Sequence, residues 1–176
     1  MKVSRALLWT GLGVSAALAA LWWAADHRRG LRWAIAVVKD RFSDVPQLAT
    51  TELARWLAEE QRPIPVLLDA RSAEEFALSH LPGAVHLDPD STDEELRARV
   101  PAGVPLVTDC SAGYRGSQMA RRLRALGFPA ASNLSGGIFQ WANEGRAVVR
   151  DGKPTQDVHP VSRAFSRLLR PENRPR

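Results

Sequence analysis

Short apolar runs alternate with helix-period segments over most of the chain. Four apolar runs bounded by turn-forming residues predict buried strands, at residues 66–68, 84–87, 104–108 and 130–134. The segments between them carry apolar side chains three or four positions apart and begin or end at capping residues, glycine or proline, which predicts helices. Strands that alternate with helices predict a three-layer α/β fold, with helices on both faces of a central, mostly parallel sheet.

A long uncharged segment precedes this pattern. Residues 6–25 hold twenty residues without a charge, which as a helix would span about 30 Å, the thickness of a bilayer core. Tryptophans lie near both ends, where indole rings favour the headgroup region. We expect a single-pass transmembrane anchor rather than a cleavable signal peptide, whose apolar core is about 7–15 residues long. More basic residues follow the segment than precede it, which favours a cytoplasmic position for the domain.

Two basic amphipathic segments flank the predicted domain. Residues 26–44 and 150–176 each contain an apolar stripe at helical spacing beside arginines. Each stripe could rest on a membrane surface or pack against the domain, and the pattern favours neither. The predicted organisation is listed from the N-terminal end: a tail (1–5), the transmembrane helix (6–25), a juxtamembrane segment (26–44), the α/β domain (45–149) and a basic, partly ordered tail (150–176).

The distribution of charge argues against nucleic acid as a partner. The net charge is +5, but residues 1–41 hold seven basic against two acidic residues, and residues 146–176 hold eight against three. Residues 42–145 are therefore acidic, with nine basic against fourteen acidic residues. A nucleic-acid binder carries its basic surface on the folded module. Basic flanks beside an apolar segment fit an anionic membrane surface instead.

The chemistry points to one loop, because the chain has a single cysteine. Cys110 can form no internal disulfide, and a structural zinc site is not expected. It follows a predicted strand and precedes a predicted helix, with Gly113, Arg115 and Gly116 close behind. Such a loop can aim backbone N–H groups at an anion and lower the pKa of the thiol, whereas an inward Asp109 carboxylate would raise it. The alternative is an inert buried cysteine in a glycine-containing turn.

Four segments together resemble the rhodanese family of single-domain thiosulfate sulfurtransferases. The sequence CSAGYRGS at 110–117 resembles the family's active-site loop, and LDAR at 68–71 with the following Glu-Phe resembles its first signature. HLPGAVHL at 80–87 and LSGGIFQW at 134–141 resemble the second and the C-terminal signatures. The matches come in the family's order and cover about residues 45–149.

This resemblance implies that Cys110 takes a sulfane sulfur from a small anionic donor such as thiosulfate, holds it as a persulfide, and passes it to a thiol or cyanide-like acceptor. No metal or cofactor is expected. The implied substrate-binding residues are Ser111, Ala112, Gly113, Tyr114 and Arg115. The implied structural residues are Asp69, Arg71, His80, Gly83, Gly136, Gly137 and Trp141.

Two other functions remain open at this stage. The chain could be a membrane-tethered binding module that keeps the fold without turnover, although such a module needs neither Cys110 nor Arg115. It could also be an oxyanion phosphatase or reductase. Related enzymes of those classes have five residues between the cysteine and the arginine, whereas this chain has four, as the sulfurtransferases that it resembles do. The predicted anchor makes a membrane-associated protein a possible acceptor.

Overall fold

The computed structural model describes residues 27–175, so the predicted anchor at 6–25 lies outside the described residues. Within 27–175 no helix is both long and apolar enough to cross a membrane. The helices are α1 His27–Arg41, α2 Thr50–Ala58, α3 Ala73–Leu78, α4 Asp93–Arg99, α5 Tyr114–Ala125 and α6 Gly137–Asn143. The strands are β1 Gln47–Leu48, β2 Val66–Asp69, β3 Val85–His86, β4 Leu106–Asp109, β5 Ala131–Leu134, β6 Val148–Arg150 and β7 Lys153–Thr155.

Five of these strands form the central sheet, in the order β1-β5-β4-β2-β3, and every pairing in it is parallel. The prediction of a mostly parallel sheet is therefore confirmed. Strand β4 lies in the middle, and its last residue, Asp109, pairs in register with Asp69 of β2. The carboxyl ends of parallel strands meet at one edge of the sheet, where the chemistry of such folds lies. Cys110 follows β4 at that edge.

The two faces of the sheet bury two different cores. Neighbouring residues of a strand point to opposite faces. Leu67 and Val107 therefore pack with apolar residues of α2 and α6, whereas Leu68 and Leu106 pack with those of α4 and α5. This alternation makes the predicted three layers. It also explains why the strands read as continuous apolar runs, since both faces of each strand are covered.

Helix α1 packs its apolar stripe on the domain. Leu31, Val38 and Phe42 are buried, whereas Trp33 and Val37 face outward and are exposed. The Phe42 ring meets the Tyr114 ring edge to face, with the centroids 5.1 Å apart. Of the two alternatives for residues 26–44, packing against the domain is the one the structure shows for this stripe.

The C-terminal segment is ordered but forms no α-helix. Strands β6 and β7 make an antiparallel hairpin that continues past residue 149, and a short 3₁₀ helix spans Phe165–Leu168. The apolar stripe in residues 150–176, which includes Val161 and Leu169, predicts an amphipathic helix, and that prediction is wrong. Val161 has a φ of +65°, which cannot belong to a right-handed helix, and Pro171 lies shortly beyond the segment. Leu169 is instead fully buried, next to a tail held by hydrogen bonds to Asn143.

Candidate active site

Cys110 occupies the junction between β4 and α5. It is a free thiol, and only 2% of its surface is exposed. Residues 110–113 form the turn, and α5 starts at Tyr114. The first N–H groups of a helix have no acceptor inside the helix, and they point back toward the preceding loop. The side chain of Cys110 therefore lies where backbone donors and the positive end of a helix converge.

Backbone conformation shapes this turn around the sulfur. Gly113 has a φ of +103°, a left-handed conformation that residues with a β-carbon rarely adopt, and its N–H donates to Cys110 Sγ over 3.2 Å. From the other side, the N–H groups of Ile138 and Phe139 donate to the carbonyls of Cys110 and Ser111. Gly137 makes this approach possible, because a β-carbon there would lie 2.0 Å from the Cys110 carbonyl oxygen. The start of α6 thus fixes the loop.

The pKa of the Cys110 thiol is raised, so the prediction of a lowered pKa is wrong in direction. Burial, which disfavours the charged thiolate, is the largest cause. The N–H of Gly116, the charge of Arg115 and the N–H of Gly113 lower the pKa but do not offset burial. The Asp109 carboxyl adds a small increase, in the direction expected of an inward carboxylate. Of the predicted binding residues 111–115, the Gly113 N–H and the Arg115 charge act on the sulfur, but burial dominates their effect on the pKa.

Arg115 binds a carboxylate of the protein itself. Its two terminal nitrogens donate to the two oxygens of Glu75, each over 2.7 Å, in a bidentate ion pair. Arg115 Nη2 also donates to Ser111 Oγ over 2.9 Å, and that hydroxyl donates to Glu75 Oε1 over 3.0 Å. Arg115 and Ser111, which are both predicted to bind the substrate, therefore donate hydrogen bonds to Glu75.

Glu75 is the site residue that the sequence did not reveal. The sequence identified it as part of a helix cap, and the structure confirms the capping box, in which Ser72 N–H donates to Glu75 Oε2 over 3.1 Å. Its pairing with Arg115 joins positions 40 residues apart. Burial pushes its pKa upward, but the hydrogen bonds from Arg115, Ser72 and Ser111 and the charge of Arg115 outweigh burial and lower the pKa to about 2.

A second carboxylate–arginine pair lies beneath the loop. Arg71 Nε donates to both oxygens of Asp69 over 2.9 and 3.1 Å, and Arg71 Nη2 donates to Asp69 and to the Ser79 carbonyl. Asp109 lies beside this pair and is buried, and neither of its carboxyl oxygens has a hydrogen-bond partner within the described residues. Burial first, and then the Asp69 carboxylate, raise the pKa of Asp109 well above its ordinary value.

Comparison with known proteins agrees with this geometry. Residues 49–144 match the family described as rhodanese-like domain. The chain belongs to the rhodanese-like domain family. It is 33% identical over 89 residues to thiosulfate sulfurtransferase GlpE of Pseudomonas fluorescens, an alignment covering 51% of this chain and 81% of that one. It is 34% identical over 104 residues to a tRNA sulfurtransferase of Desulfurococcus amylolyticus, covering 57% of this chain and 20% of that one.

A solved structure shows the same fold. The rhodanese-like domain protein from Staphylococcus aureus superimposes with a TM-score of 0.52 and 26% identity, over 60% of this chain and 98% of that one. Helix α1 and the hairpin with its C-terminal segment, by contrast, lie outside the 49–144 match.

The other predicted rhodanese signature residues form turns and core contacts. His80 Nδ1 is hydrogen-bonded to the Phe76 carbonyl at 3.0 Å, and His86 Nε2 to the Arg71 carbonyl at 2.8 Å. Trp141 is buried, and its indole N–H donates to the Ala147 carbonyl over 2.9 Å. Gly83 lies in the turn before β3, and Gly136 precedes α6. None of these contacts involves Cys110 Sγ.

The two remaining loop residues differ in exposure. Ala112 is buried, whereas 47% of the Tyr114 surface is exposed, with its ring against Phe42. Ala112 belongs to the apolar core beneath α2 and α6, whereas Tyr114 forms part of the outer surface of the loop. Among residues 27–175, no cluster of three or more His, Cys, Asp or Glu side chains has an arrangement that could hold a metal ion.

Proposed function

We propose that this protein is a sulfurtransferase that carries a sulfane sulfur on Cys110 as a persulfide. The observation that carries the proposal is the cradle: Gly113 N–H donates to Cys110 Sγ at the start of α5, in a loop of the family's form. Backbone donors around a sulfur favour a negative charge on that atom or on one bonded to it. They suit both the attacking thiolate and the persulfide.

The reaction has two halves. In the first, the Cys110 thiolate attacks the outer sulfur of the donor, the Sγ–S bond forms, and the electron pair of the donor's S–X bond leaves with the donor remnant, for example sulfite from thiosulfate. In the second, a thiolate or cyanide attacks the outer sulfur of the persulfide and regenerates the Cys110 thiolate. Atoms and charges balance in both halves without an oxidant.

Activation of the thiol is electrostatic, because no histidine serves as its base in the described residues. His80 and His86 are each hydrogen-bonded through one ring nitrogen to a backbone carbonyl. The groups that favour the thiolate are the N–H groups of Gly113 and Gly116 and the charge of Arg115. Since burial raises the thiol pKa, only a small part of Cys110 is ionised at neutral pH, and the rate of sulfur loading should rise with pH.

The second candidate is a binding module of the same fold without turnover. The observation that favours it is the 2% exposure of Cys110, which restricts access to the sulfur. An oxyanion phosphatase or reductase is less well supported. The loop places four residues between Cys110 and Arg115, and the Arg115 guanidinium binds Glu75 rather than facing an open anion site.

We also propose that the domain is tethered to a membrane by residues 6–25 and lies on the cytoplasmic side. The length of the uncharged segment and the basic residues after it support the proposal. Alkaline extraction of membranes from cells expressing the full chain tests the tether. Retention in the pellet is expected, and release of the intact chain into the supernatant would contradict the proposal.

Turnover separates the two candidate functions. The full chain in mild detergent is incubated with a sulfane-sulfur donor and cyanide, and the thiocyanate formed is measured beside Cys110→Ser. We expect thiocyanate formation that depends on Cys110. Wild-type protein that is folded but yields no more thiocyanate than Cys110→Ser, with thiosulfate and with a persulfide, would favour the binding module. The full chain is required because α1 and the C-terminal tail pack on the domain.

A further inference from the structure

Two arginines belong to the region of Cys110, Arg115 and Arg71, and each is paired with a carboxylate. Arg115, the cation that favours the thiolate, binds both oxygens of Glu75. The Glu75 side chain is 6% exposed and that of Arg115 33%, so the carboxylate lies inside the site and the arginine at its edge. A third hydrogen bond, to Ser111 Oγ, fixes the guanidinium further. An incoming anion therefore meets a neutral ion pair instead of a free arginine.

This ion pair stays ionised throughout the physiological pH range. The pKa of Glu75 is held at about 2, mainly by its hydrogen bonds from Arg115, Ser72 and Ser111 acting against burial. The same pair raises the pKa of Arg115. A change of pH near neutrality therefore cannot release Arg115 for a substrate. Only removal of the Glu75 charge, or displacement of its carboxylate by another anion, would do so.

The buried charged side chains beneath the loop, Asp69, Arg71 and Asp109, add no net positive charge. Asp69 and Arg71 neutralise each other, with both side chains fully buried. Asp109 contributes no charge when it is protonated and one negative charge when it is ionised. Its oxygens have no hydrogen-bond partner within the described residues. The two ion pairs and Asp109 together thus carry a charge of zero or −1 before the thiolate forms.

Donors differ strongly in the charge that they bring to such a site. Thiosulfate is a dianion, and its attack by a thiolate gathers three negative charges in a buried volume. A hydropersulfide, R–S–SH, brings at most one negative charge at the reacting sulfurs. Like charges repel more strongly in a low-dielectric site than in water, and here the repulsion is opposed by backbone N–H groups and by an Arg115 that Glu75 already compensates.

We propose that the donor of this sulfurtransferase is a hydropersulfide of a small thiol or of a protein, and that Glu75 disfavours thiosulfate by compensating Arg115. The inference rests on the proposed function. The Cys110 thiolate attacks the outer sulfur of R–S–SH, the Sγ–S bond forms, the donor S–S bond breaks, and its electron pair leaves as R–S⁻. The proton stays on the transferred sulfur, which gives Cys110–S–SH. Glu75 acts as a positioning residue through Arg115.

The test compares two donors on two variants of the full chain. Cys110 persulfidation is followed by intact mass at pH 7.4, with thiosulfate or cysteine hydropersulfide as the donor. Each rate is divided by the rate at which the same donor transfers sulfur to free glutathione. Glu75→Gln keeps the size of the side chain and removes its charge. Glu74→Gln is the matched control, since Glu74 is exposed on the same helix. Thermal unfolding confirms that each variant is folded.

We expect the normalised wild-type rate to favour cysteine hydropersulfide at least tenfold. Glu75→Gln should raise the thiosulfate rate about tenfold and leave the hydropersulfide rate within about threefold, while Glu74→Gln changes neither. A wild type that loads equally well from both donors, or a folded Glu75→Gln whose thiosulfate rate is unchanged or lower, would overturn the inference. If neither donor loads Cys110 of folded wild-type protein, the proposed function itself fails.

A measurement on the wild type alone covers the case in which Glu75→Gln does not fold. Added salt screens the repulsion between the thiosulfate dianion and the negative charges at the Cys110 site. Between low and high ionic strength, the thiosulfate rate should rise severalfold and the cysteine hydropersulfide rate should change little. A thiosulfate rate that is flat or falls with added salt would mean that a positive charge attracts this donor, and the inference would be wrong.

Discussion

The protein contains two carboxylate–arginine pairs within its active-site region, and they do different things. Asp69 and Arg71 are two positions apart and fully buried, and they link the end of β2 to the Ser79 carbonyl. Glu75 and Arg115 are 40 positions apart, and Arg115 remains one-third exposed. The first pair ties the scaffold together, whereas the second fixes the arginine whose charge lowers the pKa of Cys110. The two pairs thus differ in burial and in sequence separation, and we expect them to differ in role.

The largest effect on stability should come from breaking the buried pair. Arg71→Met removes the cation that pairs with the buried Asp69 carboxyl, so that only the backbone N–H of residue 71 still donates to it, next to the buried Asp109. Removing one member of a buried pair costs about 3–5 kcal/mol. The urea midpoint of unfolding measures the loss. A loss below about 1 kcal/mol would show that the Asp69–Arg71 pair does not hold the scaffold.

A smaller loss of stability is expected from the second pair. Glu75→Gln keeps the shape of the side chain but removes the negative charge that accepts hydrogen bonds from Arg115 and Ser111. The expected loss of stability is about 1–3 kcal/mol. The same urea experiment measures it beside Glu74→Gln, which should be neutral. If Glu75→Gln destabilised the protein as much as Arg71→Met, the distinction between the two pairs would fail.

The pH dependence of stability tests the charge assigned to Glu75. Glu75 has a folded-state pKa of about 2, below its ordinary value of 4.5. A lowered pKa stabilises the folded state fully above the unfolded pKa, and the stabilisation is lost as pH falls through the folded pKa. The stability difference between wild type and Glu75→Gln should therefore shrink as pH falls from about 4.5 toward 2. Unfolding midpoints measured across that range test it, and a constant difference would contradict the assigned charge state.

The smallest expected change concerns the thiol. Burial raises the pKa of Cys110 above its ordinary value of 9.0. The rate of alkylation by iodoacetamide should therefore still rise with pH beyond 9 in the folded protein, while a short peptide of the same loop reaches its plateau earlier. A folded-state midpoint below 9.0 would show that the backbone donors and Arg115 outweigh burial.

Periodicity in the sequence predicts the layers of this fold well and its extensions poorly. The runs at 66–68 and 104–108 became β2 and β4 because apolar residues on both faces of a strand leave a continuous signal. β1 holds only Gln47 and Leu48, too few residues to show a period. The C-terminal stripe looked helical, but a left-handed Val161 is a backbone property that composition does not report.

The candidate site divides in the same way. Cys110, Gly113 and the turn around them follow from local sequence, since a strand, a glycine-containing loop and a helix come in immediate succession. The partner of Arg115 and the pKa of Cys110 do not, because both depend on what the fold brings from elsewhere. Glu75 arrives from α3, and the burial of Cys110 arises from elements on every side. Tertiary contacts supply what a single sequence cannot.

The intact mass of the full chain after exposure to cysteine hydropersulfide or thiosulfate tests the central claim most directly. The account predicts one added sulfur on the wild type, removal of that sulfur by cyanide, and an unchanged mass for Cys110→Ser. An adduct that persists in Cys110→Ser, or the lack of any adduct on folded wild-type protein with both donors, would contradict persulfide transfer by Cys110.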